Sequence, residues 1–404
     1  MLEGWNGVMS DRILFVSPGY FRGDDAPHML RDAFRYVRHL ETKGASARLL
    51  LLLEPGCSAE PCDHRLSAAP YEKWIDSAFW RSWDVGIVMM YSYGVLSPHA
   101  MLLVFQAIRD AGCRIVFQMD AGLGLPAFPY RIWTLLKRRY WWARWRNRSV
   151  FSSAVRAIAQ IVHWAEGSTA RFVCRELLPL CDSIRVESPV AMENTRKRLR
   201  ALGRPEAAER VVFAVHPVPD AFAWNDSVHK EKVILCVSRD WKTPLKGGRI
   251  LAKAFLDILP GSGWKAVVIG DHSKDVFWDS GRISSFVTTC SRIHPDELSS
   301  HFLRSSILVT ASGAEAAPIV VSEALAAGCS IVFPPELAQL EPLVHVGFAS
   351  MSRHRTACSL ATALRTEMLA WNDGRRDPKN IFEKVGWKGL VSNLWEELRK
   401  GLEE

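Results

Sequence analysis

Short, nearly continuous apolar runs alternate with amphipathic stretches along the whole chain. In the first half the runs are "RILFVS" (12–17), "ARLLLLL" (47–53), "DVGIVMM" (84–90), "CRIVFQ" (113–118) and "RVVFAV" (210–215). Between them lie helical patterns such as "MLRDAFRYVRHLETKG" (29–44), which stops at Gly44, and "PHAMLLVFQAIRDAG" (98–112), which stops at Gly112. The second half repeats the scheme with "KVILCVS" (232–238), "KAVVIGD" (265–271), "SILVTAS" (306–312) and "SIVFPP" (330–335), separated by helices at 248–259 and 295–305. Strands that are apolar at successive positions are buried on both faces, and their alternation with helices predicts parallel sheets covered on each side. The pattern restarts after "HPVPDAFAWNDSVHK" (216–230), which reads as a linker. A chain of 404 residues also exceeds one ordinary domain.

The expected fold is therefore α/β, with two Rossmann-like domains at 1–218 and 228–386. The last helix, 387–404, has no strand after it and is expected to cross back to the first domain. Parallel sheets bind ligands at the carboxyl ends of their strands, so the chemistry is sought in a cleft where two such sheets face each other.

Hydrophobic content of 48% and charged content of 23% are those of an ordinary globular protein. The nine cysteines are scattered, without CxxC or zinc spacing, which reads as reduced thiols in a cytoplasmic protein. The start of the chain lacks the basic and long apolar regions of a signal peptide, and the longest apolar runs are strand length, too short to span a bilayer. The formal charge of +8 is local rather than general. Residues 131–148, "RIWTLLKRRYWWARWRNR", hold seven Arg or Lys and no acid, and without them the chain would be near +1.

Candidate chemistry gathers in the second half. "ASGAEAAPIVVSEALAAG" (311–328) reads as a buried helix that nevertheless carries Glu323, with Glu315 just before it. Pro318 suits the first helical position, which leaves the amides of Ile319 and Val320 at a helix start that attracts anions. Buried without a partner, the Glu323 carboxylate would cost several kcal/mol (about 2–7 for an uncompensated polar group), and a polyhydroxyl ligand would satisfy it. The alternative is a helix side that faces water; periodicity does not choose between the two. Arg239 and Lys246 flank the loop "RDWKTPLKGG" after the first strand of the second domain. An Arg fork and a Lys point charge opposite a helix start could hold a diphosphate from both sides.

"VSRDWKTPLKGG", "WKAVVIGD", "RIHPDELSSHF", "SILVTASGAEAAP" and "VSEALAAGCSIVF" follow one another in the order seen in retaining glycosyltransferases of the GT-B fold. Over about 230–340 the chain resembles glycosyltransferase family four (glycosyl transferases group 1). Glu315 and Glu323 have that family's Glu-x7-Glu spacing, and "VGWKGLVSNLWEEL" is similar to its C-terminal tail. The resemblance implies that Arg239 and Lys246 clamp the diphosphate of a nucleotide-sugar such as a UDP- or GDP-sugar. It implies that Glu315 binds the transferred sugar, that Glu323 binds the ribose, and that the main chain at Ala317, Ile319 and Val320 lines the phosphates. The main chain near Arg292 would touch the base. The donor is a substrate, and no cofactor or metal ion is implied; the sequence has no Asp-x-Asp pair to hold one.

The first domain would take the acceptor, a glycan, a lipid-linked glycan or another hydroxyl compound. "SPGYFRGDDAPH" resembles the family's glycine loop, with Gly23 as the matching residue. Asp120 follows the strand "CRIVFQ" and could meet sugar or acceptor, although Met119 stands where the family has a His. Three readings fit the 131–148 patch. Arg138, Arg139, Arg144, Trp141, Trp142 and Trp145 could lie at a membrane interface on the inner face, or could grip an acceptor; or the segment is a partly packed surface helix. Nucleic acid is disfavoured, because no binding module accompanies the patch. Two other functions fit the same fold: a nucleotide-sugar epimerase, and a degenerate subunit that binds a partner transferase.

Overall fold

The computed structural model describes residues 12–21, 36–38, 41, 46–54, 63–83, 85–91, 96–119, 171–187, 189–214, 218–277, 285–313, 315 and 318–384. They fall into two compact units that part just before Val218.

The first unit is built on seven strands: β1 (Arg12–Phe21), β2 (Ser46–Leu53), β3 (Leu66–Ala69), β4 (Ile87–Tyr91), β5 (Arg114–Met119), β6 (Ser183–Val186) and β7 (Val211–Phe213). All pairs are parallel and the order is β3-β2-β1-β4-β5-β6-β7. Side chains of one strand alternate between two separate cores. Leu14, Val16, Leu50 and Leu52 enter one, and Ile13, Phe15, Leu49 and Leu51 enter the other. That two-sided burial is why the runs read as continuously apolar. Helix α1 (Pro98–Asp110) covers the first core with Met101, Val104, Phe105 and Ile108, the spacing of one helical face. The Ser97 hydroxyl accepts the Ala100 amide at 3.2 Å to start it. Gly112, with φ +82°, ends it as the sequence predicts. Helix α2 (Pro189–Ala201) lies between β6 and β7 in the chain.

The second unit has six parallel strands: β8 (Glu231–Asp240), β9 (Lys265–Asp271), β10 (Val287–Cys290), β11 (Ser305–Val309), β12 (Ser330–Phe333) and β13 (Ala349–Met351). Their order is β10-β9-β8-β11-β12-β13. Helices α3 (Gly248–Ile258), α4 (Pro295–Arg304), α5 (Ile319–Ala326), α6 (Ala357–Asn372) and α7 (Pro378–Lys384) cover it. On one face α3 and α6 pack Leu251, Phe255, Leu360 and Leu364 against Ile234, Val268 and Ile307. On the other, Phe302 of α4, Val321 and Leu325 of α5 and Ile381 of α7 meet Leu235, Leu308 and Phe333. Each such side chain contributes about 1.5–3 kcal/mol of burial. In both sheets the order reverses beside the first strand of the unit, between β1 and β4 and between β8 and β11. Such a reversal opens a crevice at the carboxyl ends of the two strands, where doubly wound sheets take ligands.

Several expectations need correction. Strands β3, β6, β10 and β13 escaped the sequence reading because they are three or four residues long and carry Ser, Thr or Arg among their apolar positions. The run at 306–312 ends as a strand at Val309, and Thr310–Gly313 form a loop instead. Pro318 is the N-cap of α5, with ψ 108°, and Ile319 is its first helical residue. The expected 387–404 helix, Gly23, Asp120, Ala317 and the patch residues Arg138, Arg139, Trp141, Trp142, Arg144 and Trp145 lie outside the described residues. Among the described residues no helix is long and apolar enough to cross a membrane, and the seven described cysteines are free.

Candidate active site in the second unit

The loops after β8 and β11 leave the two central strands side by side at their carboxyl ends. The first is wound tight by local hydrogen bonds. The Asp240 carboxylate accepts from the Lys242 amide at 2.8 Å and from the Thr243 hydroxyl at 3.3 Å. Trp241, buried, donates its indole N–H to the Ile269 carbonyl at 3.0 Å. A short turn at Pro244–Lys246 then delivers Lys246 and passes through Gly247 into α3.

The Gly247 position admits only glycine. Its φ is +70°, and a Cβ there would run into the Ala311 carbonyl oxygen and lie 2.8 Å from the Ala311 Cβ. The two loops are therefore in main-chain contact, and the Gly313 amide donates to the Leu245 carbonyl at 2.7 Å. Gly247→Ala is expected to cost at least the 1–2 kcal/mol, roughly, of a left-handed alanine, because the close approach adds to it. Urea unfolding of the full chain checks this, and a loss below about 1 kcal/mol would contradict it.

The interlock brings two of the candidate residues together. The Lys246 ammonium donates to the Glu315 carboxylate, and both side chains are mostly covered. The Ser312 hydroxyl donates to the same carboxylate at 2.6 Å, and the Gln339 side-chain amide donates to the Glu315 carbonyl at 3.1 Å. Arg239 stands at the end of β8, exposed and without an ion pair among the described residues. Glu323 lies within α5 with 1% of its surface exposed. The reading in which it faces water does not hold, because α5 is covered along its length, with Ile319 and Val320 half-buried. The N-cap residue Pro318 offers α5 no side-chain hydrogen bond; the Val321 amide donates to the Pro318 carbonyl at 2.8 Å. Arg292 lies just beyond β10, the edge strand two places from β8, exposed, with its guanidinium on the Asp271 carboxylate. Closer to the β8 loop, the ammonium of Lys242 and the His272 ring hold the Asp275 carboxyl below its usual range.

The structure adds Ser312, Gln339 and Arg355 to the residues chosen from sequence. The Arg355 guanidinium donates to the carbonyls of Ala311 at 2.7 Å, Pro244 at 3.0 Å and Leu245 at 2.8 Å. Ser312 sits inside the 311–328 stretch that also carries Glu315 and Glu323. Nothing in the neighbourhood of Arg355 or Gln339 in the sequence signals a site. Among the described residues no three His, Cys, Asp or Glu side chains are grouped to hold a metal ion.

Residues 231–348 match the family model of glycosyl transferases group 1. Solved structures of similar fold include HepE of Anabaena in complex with UDP, at 14% identity over 96% of this chain and 100% of that one, with a TM-score of 0.58. The pneumococcal O-GlcNAc transferase GtfA, in complex with UDP and GlcNAc, is 8% identical over 97% and 99% of the two chains, with a TM-score of 0.60. Sucrose-phosphate synthase from Thermosynechococcus elongatus is 12% identical over 96% and 98%, with a TM-score of 0.58. No curated protein sequence matches the chain.

Two parallel-sheet units of this order share the GT-B fold of those structures, and the second unit carries a glycosyl transferases group 1 domain. The matched segment runs from the start of β8 almost to β13, so the Lys246–Glu315 pair lies within a glycosyl transferases group 1 domain.

Proposed function

We propose that this glycosyltransferase moves a sugar from a nucleoside diphosphate donor to a hydroxyl acceptor, with retention of anomeric configuration and without a metal ion. The reading rests chiefly on the contact of Lys246 with Glu315 where the chain leaves β8 and β11, shortly before an α5 start whose N-cap, Pro318, makes no side-chain hydrogen bond. Departure of the nucleoside diphosphate concentrates negative charge on its terminal phosphate. Lys246, Arg239 and the amides of Ile319 and Val320 would stabilise that charge as it forms, the role fixed donors and cations play best. In this reading the two cations supply the positive charge that a metal ion brings elsewhere.

Glu315 would take hydroxyls of the sugar and Glu323 those of the ribose, so a polyhydroxyl ligand meets acceptor groups on either side of the phosphates. The acceptor attacks on the face that the phosphate leaves, and the phosphate takes its proton. The new bond then keeps the configuration of the old one. The acceptor is a glycan, lipid-linked or other hydroxyl compound, and the basic and aromatic composition of 131–148 favours one at a membrane surface. The free thiols accord with a cytoplasmic location.

The test is thermal denaturation of the full chain against UDP-, GDP-, ADP- and TDP-sugars, followed by product analysis. A true donor at 100 times its Kd adds about 2.7 kcal/mol to stability. Transfer should need an acceptor, survive chelation of divalent cations and give an anomer matching the donor. A changed sugar formed from donor alone would identify an epimerase instead. Stabilisation by none of the panel would reject donor binding.

A further inference from the structure

We propose that Arg355 is a positioning residue for the donor phosphates, acting through Lys246 and resting on the transferase reading above. Its guanidinium is the one described side chain that ties the loop carrying Lys246 to the loop carrying Glu315 by hydrogen bonds to the main chain of both. Two of its three acceptors, the Pro244 and Leu245 carbonyls, immediately precede Lys246 in the chain. The third, the Ala311 carbonyl, immediately precedes Ser312, whose hydroxyl holds the Glu315 carboxylate. A planar guanidinium is suited to this, because its donors are fixed relative to one another and set the spacing of the groups they bind.

The base of Arg355 is itself pinned. It stands in the turn between β13 and α6. The Ser352 amide donates to the Phe333 carbonyl at 2.9 Å, and the Ser352 hydroxyl to the His354 carbonyl at 3.0 Å. The His354 amide donates to the Ser359 hydroxyl at 3.0 Å, and Thr356 caps α6 through the Ser359 amide. The side chain thus extends from a fixed turn into the gap between two loops. Gly313 makes room for it, since a Cβ there would come within 3.1 Å of the Arg355 Cζ.

Carbonyl acceptors also leave the charge of the guanidinium uncancelled. Among the described residues no carboxylate accepts from it, and burial pushes its pKa down, with Glu336 opposing from a distance. A cation partly withdrawn from water and bonded, among the described residues, only to neutral groups is held at a cost that structure alone does not recover. It is better accounted for where a dianion binds next to it. The three hydrogen bonds that set the loops thereby fix the main chain that carries Lys246, and it is through Lys246 that Arg355 reaches the phosphates.

The test is a double-mutant cycle on the full chain, with UDP as probe and affinity read by ligand-observed NMR, which reaches the millimolar range. Arg355→Met is expected to weaken UDP about tenfold or more while the protein still melts cooperatively. In a Lys246→Ala background the same change is expected to cost less than about threefold, because the residue it positions is gone. Arg355→Lys keeps the charge but not the fork, and an intermediate loss with the same coupling is expected; it carries the test if Arg355→Met does not fold. Arg365→Met, which removes an exposed arginine paired with Asp257 in the same unit, should bind UDP as the wild type does. Wild-type affinity in the Arg355 variants, or an equal loss in both backgrounds, overturns the proposal and leaves the transferase reading standing. Failure of the wild-type chain to bind UDP or any other nucleoside diphosphate overturns both.

Discussion

Lys246→Ala is expected to lower sugar transfer by about a hundredfold to a thousandfold, the usual cost of removing one fixed group aimed at charge that forms in the transition state. Its effect on stability should be small by comparison. The Lys246–Glu315 pair keeps 31% and 21% of its side-chain surfaces in water, so solvent screens it, and such pairs contribute about 0–1 kcal/mol. The contrast between the two magnitudes makes the experiment decisive. A residue kept for packing would lose stability first and activity in proportion; a residue kept for the leaving group would lose activity in a protein that melts almost unchanged. In the free protein Glu315 already neutralises Lys246, so a bound diphosphate must compete with that carboxylate for the ammonium. Glu315→Gln should accordingly leave Lys246 more available to phosphate while removing an acceptor for sugar hydroxyls. Turnover measured with saturating acceptor, beside a melting curve, checks the prediction for Lys246. Turnover within a factor of two or three of the wild type would sink the assignment of Lys246 to the leaving group.

How much of this was legible in the sequence follows from what each feature depends on. Strands such as Ser46–Leu53 and Glu231–Asp240 were visible because burial on both faces writes itself into successive residues. Strands β3 and β13 were not, since at four and three residues they give no period to detect. The ends of helix α1 were visible because caps are local chemistry: Ser97 before it and Gly112 after it. Strand order was not, because nothing within a strand names its neighbours. The site divides along the same line. The Glu-x7-Glu spacing and the loop from Arg239 to Lys246 are local and could be quoted. Periodicity could not say whether Glu323 met water, as that depends on what packs over α5. The meeting of Lys246 with Glu315 spans 69 positions, and that of Arg355 with Leu245 spans 110. Contacts so distant in the chain exist only once the sheet has brought β8, β11 and β13 to a common edge.

Arg376→Ala is expected to produce the largest loss of stability of any single charge deletion in the second unit, about 3–5 kcal/mol. Its partner, Glu367 on α6, is fully buried. The Arg376 guanidinium grips that carboxylate with two donors, at 2.5 Å and 2.9 Å, and the Ser350 hydroxyl of β13 donates to it at 2.6 Å. The network closes the chain after α6 back onto the helix and ties the helix to the last strand of the sheet. Removing the arginine leaves a carboxylate in the interior with one hydroxyl for company, and that unmet desolvation, more than the lost bonds, sets the cost. For a unit of this size the loss corresponds to a melting point lower by roughly 10 °C. The double variant Glu367→Met/Arg376→Met separates the possible causes. If the buried unpaired charge dominates, removing both partners should recover most of the loss, since apolar groups of similar volume often replace a buried pair at little cost. If the closure itself dominates, the double variant should be as unstable as Arg376→Ala. Calorimetry of the three proteins distinguishes these, with Arg365→Ala as the exposed comparison expected to fall within about 1 kcal/mol of the wild type. A loss below about 1 kcal/mol for Arg376→Ala would mean that water reaches Glu367, and the buried-charge account would then be wrong.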